Sequence, residues 1–243
     1  IKNGGGIRAS IGETVVLPGD TEASRTVNQA VENAEGVEIK PEGGISQNDI
    51  LTTLAFNNDL VTLTLTRSEI VALLEHGVSA LPGAAGAFPQ LAGVKLAFDV
   101  TAEAGNRVTS AVIVDENDQV IAKLVEDGEL AGFAGETFGV VTLGFLAQPR
   151  FDAEGNFTGG GDGYPFPNTN TDPAVGEVAD ADVVARINLT KLIEEGVRTG
   201  DATFADNGTE QDALAEYLND TYATTDSAFD EAETGPGRDD VIQ

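Results

Sequence analysis

Residues 60–80 place a strand and a helix end to end with no loop between them, and this junction constrains the fold more than any other feature. In Leu60-Val61-Thr62-Leu63-Thr64-Leu65 the residues Val61, Leu63 and Leu65 share one face, while Leu60, Thr62 and Thr64 share the other. Alternation of period two marks a strand with one drier face. Thr66 and Glu69 then have the spacing of a capping box, in which a hydroxyl and a carboxylate accept the backbone N–H groups that a helix start leaves unpaired. Ile70, Leu73, Leu74 and Val78 recur at helical spacing, so an amphipathic helix is predicted over roughly 67–80.

Further strands follow the same logic. Val94, Leu96, Phe98 and Val100 alternate with Lys95, Ala97 and Asp99. The segments 108–114 and 120–125 flank Asp115-Glu116-Asn117-Asp118-Gln119, a hairpin signature with a five-residue loop. Phe138–Leu143 is another β-rich run, with Phe145-Leu146 directly after it. Residues 150–182 are rich in Gly, Pro, Asn and Asp and read as long loops. Residues 183–195 carry a short strand or helix pattern. Thr209 and Asp212 read as the cap of a last helix bearing Leu214, Tyr217 and Leu218, and Val241-Ile242 as the start of a closing strand. Strands and helices intermix without a strict βαβ rhythm, which predicts an α+β (mixed α/β) domain with a mixed sheet and flanking helices.

Charge narrows the partners. The 243 residues carry 41 acidic and 13 basic side chains, a net charge of −28, while 41% hydrophobic residues suffice for a core and argue against wholesale disorder. Such a field repels phosphate polymers and anionic lipid, so no nucleic-acid polymer is expected as a partner. No stretch reaches the roughly 20 apolar residues that span a bilayer, and no signal-peptide pattern is present. The chain contains no Cys, which removes disulfides and thiolate nucleophiles, and no Met, so it reads as a fragment or processed product of a longer protein. The acidity reads as adaptation to an external, salty medium.

Several motifs carry chemistry. Asn3-Gly4-Gly5-Gly6-Ile7-Arg8 sets three glycines between a strand end and an arginine. Consecutive glycines allow backbone N–H groups to approach an anion, and the guanidinium fork suits phosphate or sugar oxygens. Gly159-Gly160-Gly161-Asp162-Gly163-Tyr164 holds a carboxylate in a glycine-rich loop, an arrangement fit for sugar hydroxyls or a cation. Phe56 and Phe145 each border polar loop residues and are candidates for stacking on a planar base. Taken singly, each motif also reads as a tight turn or a core phenylalanine. His76, the single histidine, lies near the C-terminal end of the predicted helix and reads as structural or surface. Asp152–Asn156 lacks the glycine and distal glutamate of an EF-hand and reads as a turn.

In this order the motifs Asn-Gly-Gly-Gly-Ile-Arg, Phe-x-Asn, Leu-Glu-His-Gly, Phe-Leu-Ala and Gly-Gly-Asp-Gly-Tyr resemble the C-terminal domain of the 5'-nucleotidases, a domain also found in UDP-sugar hydrolases and 2',3'-cyclic-nucleotide phosphodiesterases. The resemblance covers roughly 1–166 and, more loosely, a closing helix around 209–222. It implies that Asn3 and Arg8 touch the nucleoside and its phosphate, with Gly5 and Gly6 lining the loop. It implies that Phe56 and Phe145 stack on the base, that Asn58 stands in the place of the family's asparagine, and that Asp162 holds ribose hydroxyls. Two departures stand out. An acidic segment, about 12–44, lengthens the span from Arg8 to Phe56, and a second insertion, about 148–159, separates Phe145 from Asp162.

The resemblance also implies an N-terminal metallophosphoesterase domain of the same polypeptide that holds two divalent metal ions and performs the hydrolysis. With one histidine and no Asp-x-His or Gly-Asn-His-Glu segment, this chain is expected to bind a nucleotide or nucleoside, not to hydrolyse it, and to carry no cofactor of its own. The implied whole is a secreted or periplasmic phosphohydrolase. A second reading makes the chain a non-catalytic structural or interaction module that has lost nucleotide binding, motivated by the insertions and by Ala55-Phe56-Asn57-Asn58 in place of the family's Pro-Phe-Gly-Asn.

Overall fold

A computed structural model of the chain describes residues 1–15, 24–26, 28–167, 187–188 and 203–224. Its architecture is α+β, with helices and antiparallel strands intermixed. The described residues fall into two compact units: 1–6, 58–167 and 187–188 in one, and 7–15, 24–26, 28–57 and 203–224 in the other.

The first unit is built on the strand-to-helix junction. The strand Leu60–Thr66 buries every second residue, and Val61, Leu63 and Leu65 are at most 2% exposed. Thr66 and Glu69 close the predicted capping box on the helix Arg67–Val78 (α2, the helix Gln47–Thr53 being α1). Glu69 Oε2 accepts from the Thr66 amide at 2.7 Å. Ile70, Leu73, Leu74 and Val78 are buried along one face of α2. Each fully buried aliphatic side chain of this kind contributes about 1.5–3 kcal/mol through removal from water.

Two sheets meet α2. In one, Thr137–Leu143 runs antiparallel to Leu60–Thr66, from Thr137 opposite Thr66 to Leu143 opposite Leu60, and Ile187–Asn188 pairs with the other edge. The other is a four-stranded antiparallel sheet in the order Glu129–Leu130, Val120–Glu126, Val108–Val114, Val94–Phe98. It supplies Leu96, Val108, Ala111, Leu124 and Val125 to the same core. The Val94 strand ends at Phe98, short of the predicted Val100. There the Asp99 carboxylate accepts from the Thr101 amide and hydroxyl at 2.8 and 2.7 Å, and the chain turns.

The C-terminal end of α2 is closed from a distance. Arg107, 9% exposed, directs Nη1 at the carbonyls of Val78, Ser79 and Leu81 (2.7, 2.9 and 2.8 Å) and Nε at that of Ala102 (3.0 Å). The amides of Arg107 and Val108 donate in turn to the Glu75 carboxylate of α2. A single guanidinium thus supplies donors to carbonyls at the helix end, where intrahelical partners run out.

In the second unit the acidic insertion forms short antiparallel pairs, Glu13–Val15 with Ser24–Thr26 and Val31–Glu32 with Glu38–Lys40. It then enters the helix Gln47–Thr53 (α1) through a capping box of Ser46 and Asp49. Partial burial pushes the Asp49 carboxyl up, but hydrogen bonds from Ser46 and Asn28 and the Lys40 charge hold it below the usual carboxylate range. The helix Glu210–Thr221 (α4) meets α1. Its Gln211 side chain donates to the Leu54 carbonyl at 2.8 Å.

The α4 start differs from the predicted cap. The Thr209 side chain makes no capping bond, and its hydroxyl donates to the Asp206 carbonyl. Asp212 is buried and turns to the preceding loop, accepting from the amides of Thr203 and Gly208 and from the Thr203 hydroxyl. A carboxylate at the third helical position can serve the approaching loop as well as the cap residue, and here the loop donors win. Residues 168–182, the remainder of 183–195 and Val241-Ile242 lie outside the described residues.

Candidate functional site

In the first unit, three sequence motifs converge. Lys2–Asn3 pairs antiparallel with Pro89–Gln90 and runs into a single 3-10 turn at Gly4–Gly6. The pairing buries Asn3 at 6% exposure, and its Nδ2 donates to Asp162 Oδ2 at 2.6 Å across 159 residues of sequence. Asn3 Oδ1 is buried without a partner.

The glycine loop serves the fold more directly than expected. The Gly4 amide donates to the Phe88 carbonyl at 2.7 Å, and the Gly5 amide to that of Gly86 at 2.8 Å. These two amides are therefore committed to the backbone and not open to an anion. Gly5 permits the approach itself, because a Cβ there would stand 3.0 Å from Gly86 Cα.

Phe145 is the second residue of the short helix Gly144–Ala147 (α3). That helix follows the strand Thr137–Leu143 without a loop, and its start is pinned by the Gly144 amide donating to Asp59 O at 2.7 Å. The ring is half-buried against the core. The inserted segment does not separate Phe145 from the Asp162 loop. It folds into a small hairpin, Arg150–Phe151 with Phe157–Gly159, whose tip is an Asx turn on Asp152. The chain then returns directly to α3. A Cβ on Gly160 would lie 1.8 Å from the Leu146 carbonyl oxygen, and one on Gly161 would lie 2.7 Å from the Phe145 ring. Asp162 is the next residue, so its exposed carboxylate follows directly on the glycine that abuts the ring.

Arg150, carried by the insertion, places its guanidinium 5.0 Å from the Phe145 ring centroid. No sequence signal marked that arginine. Tyr164 seals the loop from below: it is fully buried and its hydroxyl donates to the Ala87 carbonyl at 2.5 Å. Burial, and then the Asp162 charge, push that phenol well above its ordinary range, so it is a neutral donor. Asn58, half-buried, leads into the Leu60–Thr66 strand.

The other predicted residues, Arg8 and Phe56, belong to the second unit. The Arg8 amide donates to Thr53 O at the end of α1 at 2.8 Å, and the Arg8 guanidinium lies 6.0 Å from the Phe56 ring centroid. Phe56 is 63% exposed. It is held there by the bend behind it. Asn57 has a left-handed backbone (φ 44°), and its side-chain oxygen accepts from the Gln211 amide at 3.3 Å.

A shallow groove runs along α2, lined by Ser68, Val71, Glu75, His76 and Leu130, and takes in the Leu-Glu-His-Gly motif. Among the described residues no group of three or more His, Cys, Asp or Glu side chains is placed to hold a metal ion. Among the described residues no helix is long and apolar enough to cross a membrane.

A family model described as "5'-nucleotidase, C-terminal domain" matches residues 20–148, which excludes the Asn3–Arg8 and Asp162 motifs at either side. The chain is 29% identical over 136 residues to the trifunctional nucleotide phosphoesterase protein YfkN of Bacillus subtilis (strain 168), covering 56% of this chain and 8% of that protein. It is 29% identical over 149 residues to an apyrase of Tabanus yao, covering 59% of this chain and 24% of that one. The fold is similar to that of a 5'-nucleotidase precursor from Thermus thermophilus, with a TM-score of 0.54, 23% identity, all of this chain covered and 30% of the other. The matched part of this chain spans less than a third of the length of each of these proteins.

Proposed function

Because the chain belongs to the 5'-nucleotidase C-terminal domain family, we propose that it is the nucleotide-binding part of a secreted or periplasmic phosphohydrolase that dephosphorylates nucleotides or related phosphoesters. One observation supports this reading: despite the insertion, the glycine run packs on α3 so closely that Gly161, the residue before Asp162, abuts the Phe145 ring. An exposed carboxylate one residue beyond the glycine that meets an aromatic ring offers acceptors for ribose hydroxyls, and the ring a surface for a base.

In this role Asp162 Oδ2 is held by Asn3, which fixes the carboxylate and leaves its other oxygen to a ligand. The Phe145 ring already engages a planar group, the Arg150 guanidinium. Arg8 and Phe56 keep the roles the resemblance implies, a guanidinium for phosphate oxygens and a ring for a base face. The side chains of this chain bind and orient, and orientation of a bound reactant is itself a large part of catalysis. Hydrolysis belongs in this proposal to a metallophosphoesterase domain of the same polypeptide, whose metal ions supply the Lewis acid and the activated water.

Titration of the chain with adenosine 5'-monophosphate tests the assignment. Phe145→Ala and Phe56→Ala are each expected to weaken binding about five- to a hundredfold, the equivalent of one base–aromatic stack. Unchanged affinity in both variants would end the stacking assignment.

A further inference from the structure

We propose that His76 is a positioning residue for Asp162, setting the direction in which its carboxylate meets a ligand. The inference rests on the reading that Asp162 binds ribose hydroxyls. His76 Nε2 lies 2.9 Å from the Asp162 backbone oxygen. A carbonyl can only accept, so Nε2 carries the proton and donates.

The bond falls where the backbone most needs support. Asp162 has φ 53°, in the left-handed region that costs a residue with a Cβ more than it costs glycine, Asp less than most, and Gly163 follows with φ 74°. Strained backbone of this kind persists only where its surroundings over-determine it. Three contacts do so here. His76 grips the Asp162 carbonyl, Asn3 grips its carboxylate, and the His76 ring lies against the buried Tyr164, with centroids 4.7 Å apart.

His76 is itself fixed. It sits in the last turn of α2, whose Leu73, Leu74 and Val78 are buried in the core and whose C-terminal carbonyls Arg107 holds. The imidazole therefore transmits the rigidity of the helix to a loop that has one non-glycine residue between two glycines. Without it, Asp162 keeps the Asn3 contact but loses the restraint on its peptide plane, and the free carboxylate oxygen no longer has a fixed direction.

The test compares adenosine 5'-monophosphate with its 2',3'-dideoxy counterpart by calorimetric titration of the full chain. The wild-type chain should prefer the ribonucleotide by roughly tenfold or more, the value of hydrogen bonds to a charged group, and Asp162→Ala should erase that preference. His76→Ala should reduce the preference to about twofold or less while leaving the dideoxynucleotide affinity within about twofold of wild type. His76→Gln, whose amide can donate to the same carbonyl, should restore most of it. If His76→Ala retains the preference, or weakens both nucleotides equally, the positioning role is wrong and His76 only supports the fold. If the wild-type chain shows no preference, or Asp162→Ala keeps it, the ribose reading itself fails and this inference falls with it.

Discussion

Gly160→Ala is expected to destabilise the chain by about 3 kcal/mol or more, beyond the usual range for overpacking, and to abolish measurable nucleotide binding. The added methyl would lie 1.8 Å from the Leu146 carbonyl oxygen and 3.0 Å from its carbon. Both are backbone atoms of α3, so no side chain can rotate out of the way. The loop cannot retreat either, because the Gly160 amide donates to the Tyr164 carbonyl at 2.7 Å and Tyr164 is locked in the core. Relief requires the inserted hairpin and the Asp162 loop to lift off α3 together, which separates the Phe145 ring from the Asp162 carboxylate. For a chain of this size the loss corresponds to a fall in Tm of roughly 6–12 °C. A melting temperature within about 2 °C of wild type, with nucleotide affinity intact, would show that the contact between this loop and α3 is not as close as described.

Arg107→Ala is expected to cost about 3–5 kcal/mol, although Arg107 itself is not a proposed ligand contact. The guanidinium is the donor for four carbonyls, Val78, Ser79, Leu81 and Ala102. Removing it strips a donor from the carbonyls at the end of α2, of which Val78 keeps the Leu81 amide at 3.3 Å, at about 1–3 kcal/mol for each left buried without a partner. Arg107→Lys should recover less than half of the loss, since one ammonium on a flexible stem cannot span the geometry of a planar fork. Urea denaturation measures both variants. A loss below about 1 kcal/mol for Arg107→Ala would mean that water replaces the fork at no cost. Because α2 carries His76, the alanine variant should also reduce the ribose preference.

Which of these features the sequence discloses follows from the range of the interactions. The strand Leu60–Thr66, its capping box and α2 are encoded within twenty residues by period and cap chemistry, and they fold as the pattern says. The hairpin of 108–114 and 120–126 is equally local, and so is the α+β mixture. The role of Arg107 is not local: its partners lie 5 to 29 residues away, and nothing about an arginine between Asn106 and Val108 announces them. The same holds for the glycine loops. Sequence marks Gly4–Gly6 as able to approach something closely, but only the fold reveals that it is the Gly86–Phe88 backbone.

The candidate site shows the same division. Asn3, Phe145 and Asp162 are singled out by motif, yet the bond between Asn3 and Asp162 and the closeness of Asp162 to Phe145 depend on how the insertion folds. Arg150 and His76 were out of reach, the first because it stands in a segment outside the family pattern, the second because a histidine on an amphipathic helix has many ordinary uses. The α4 start illustrates the converse, where a cap pattern at Thr209 and Asp212 was used by the neighbouring loop instead.

The central claim, that this chain binds a nucleotide through the surface formed by Phe145 and Asp162, is tested most directly by NMR titration of the isotope-labelled chain with adenosine 5'-monophosphate. The Phe145 ring signals and the Asp162 and Gly163 amides should shift together and saturate, with Arg150 responding as the ring gains a new neighbour. Shifts confined to the groove along α2, or none at millimolar nucleotide, would contradict the claim and leave a structural module that has lost nucleotide binding.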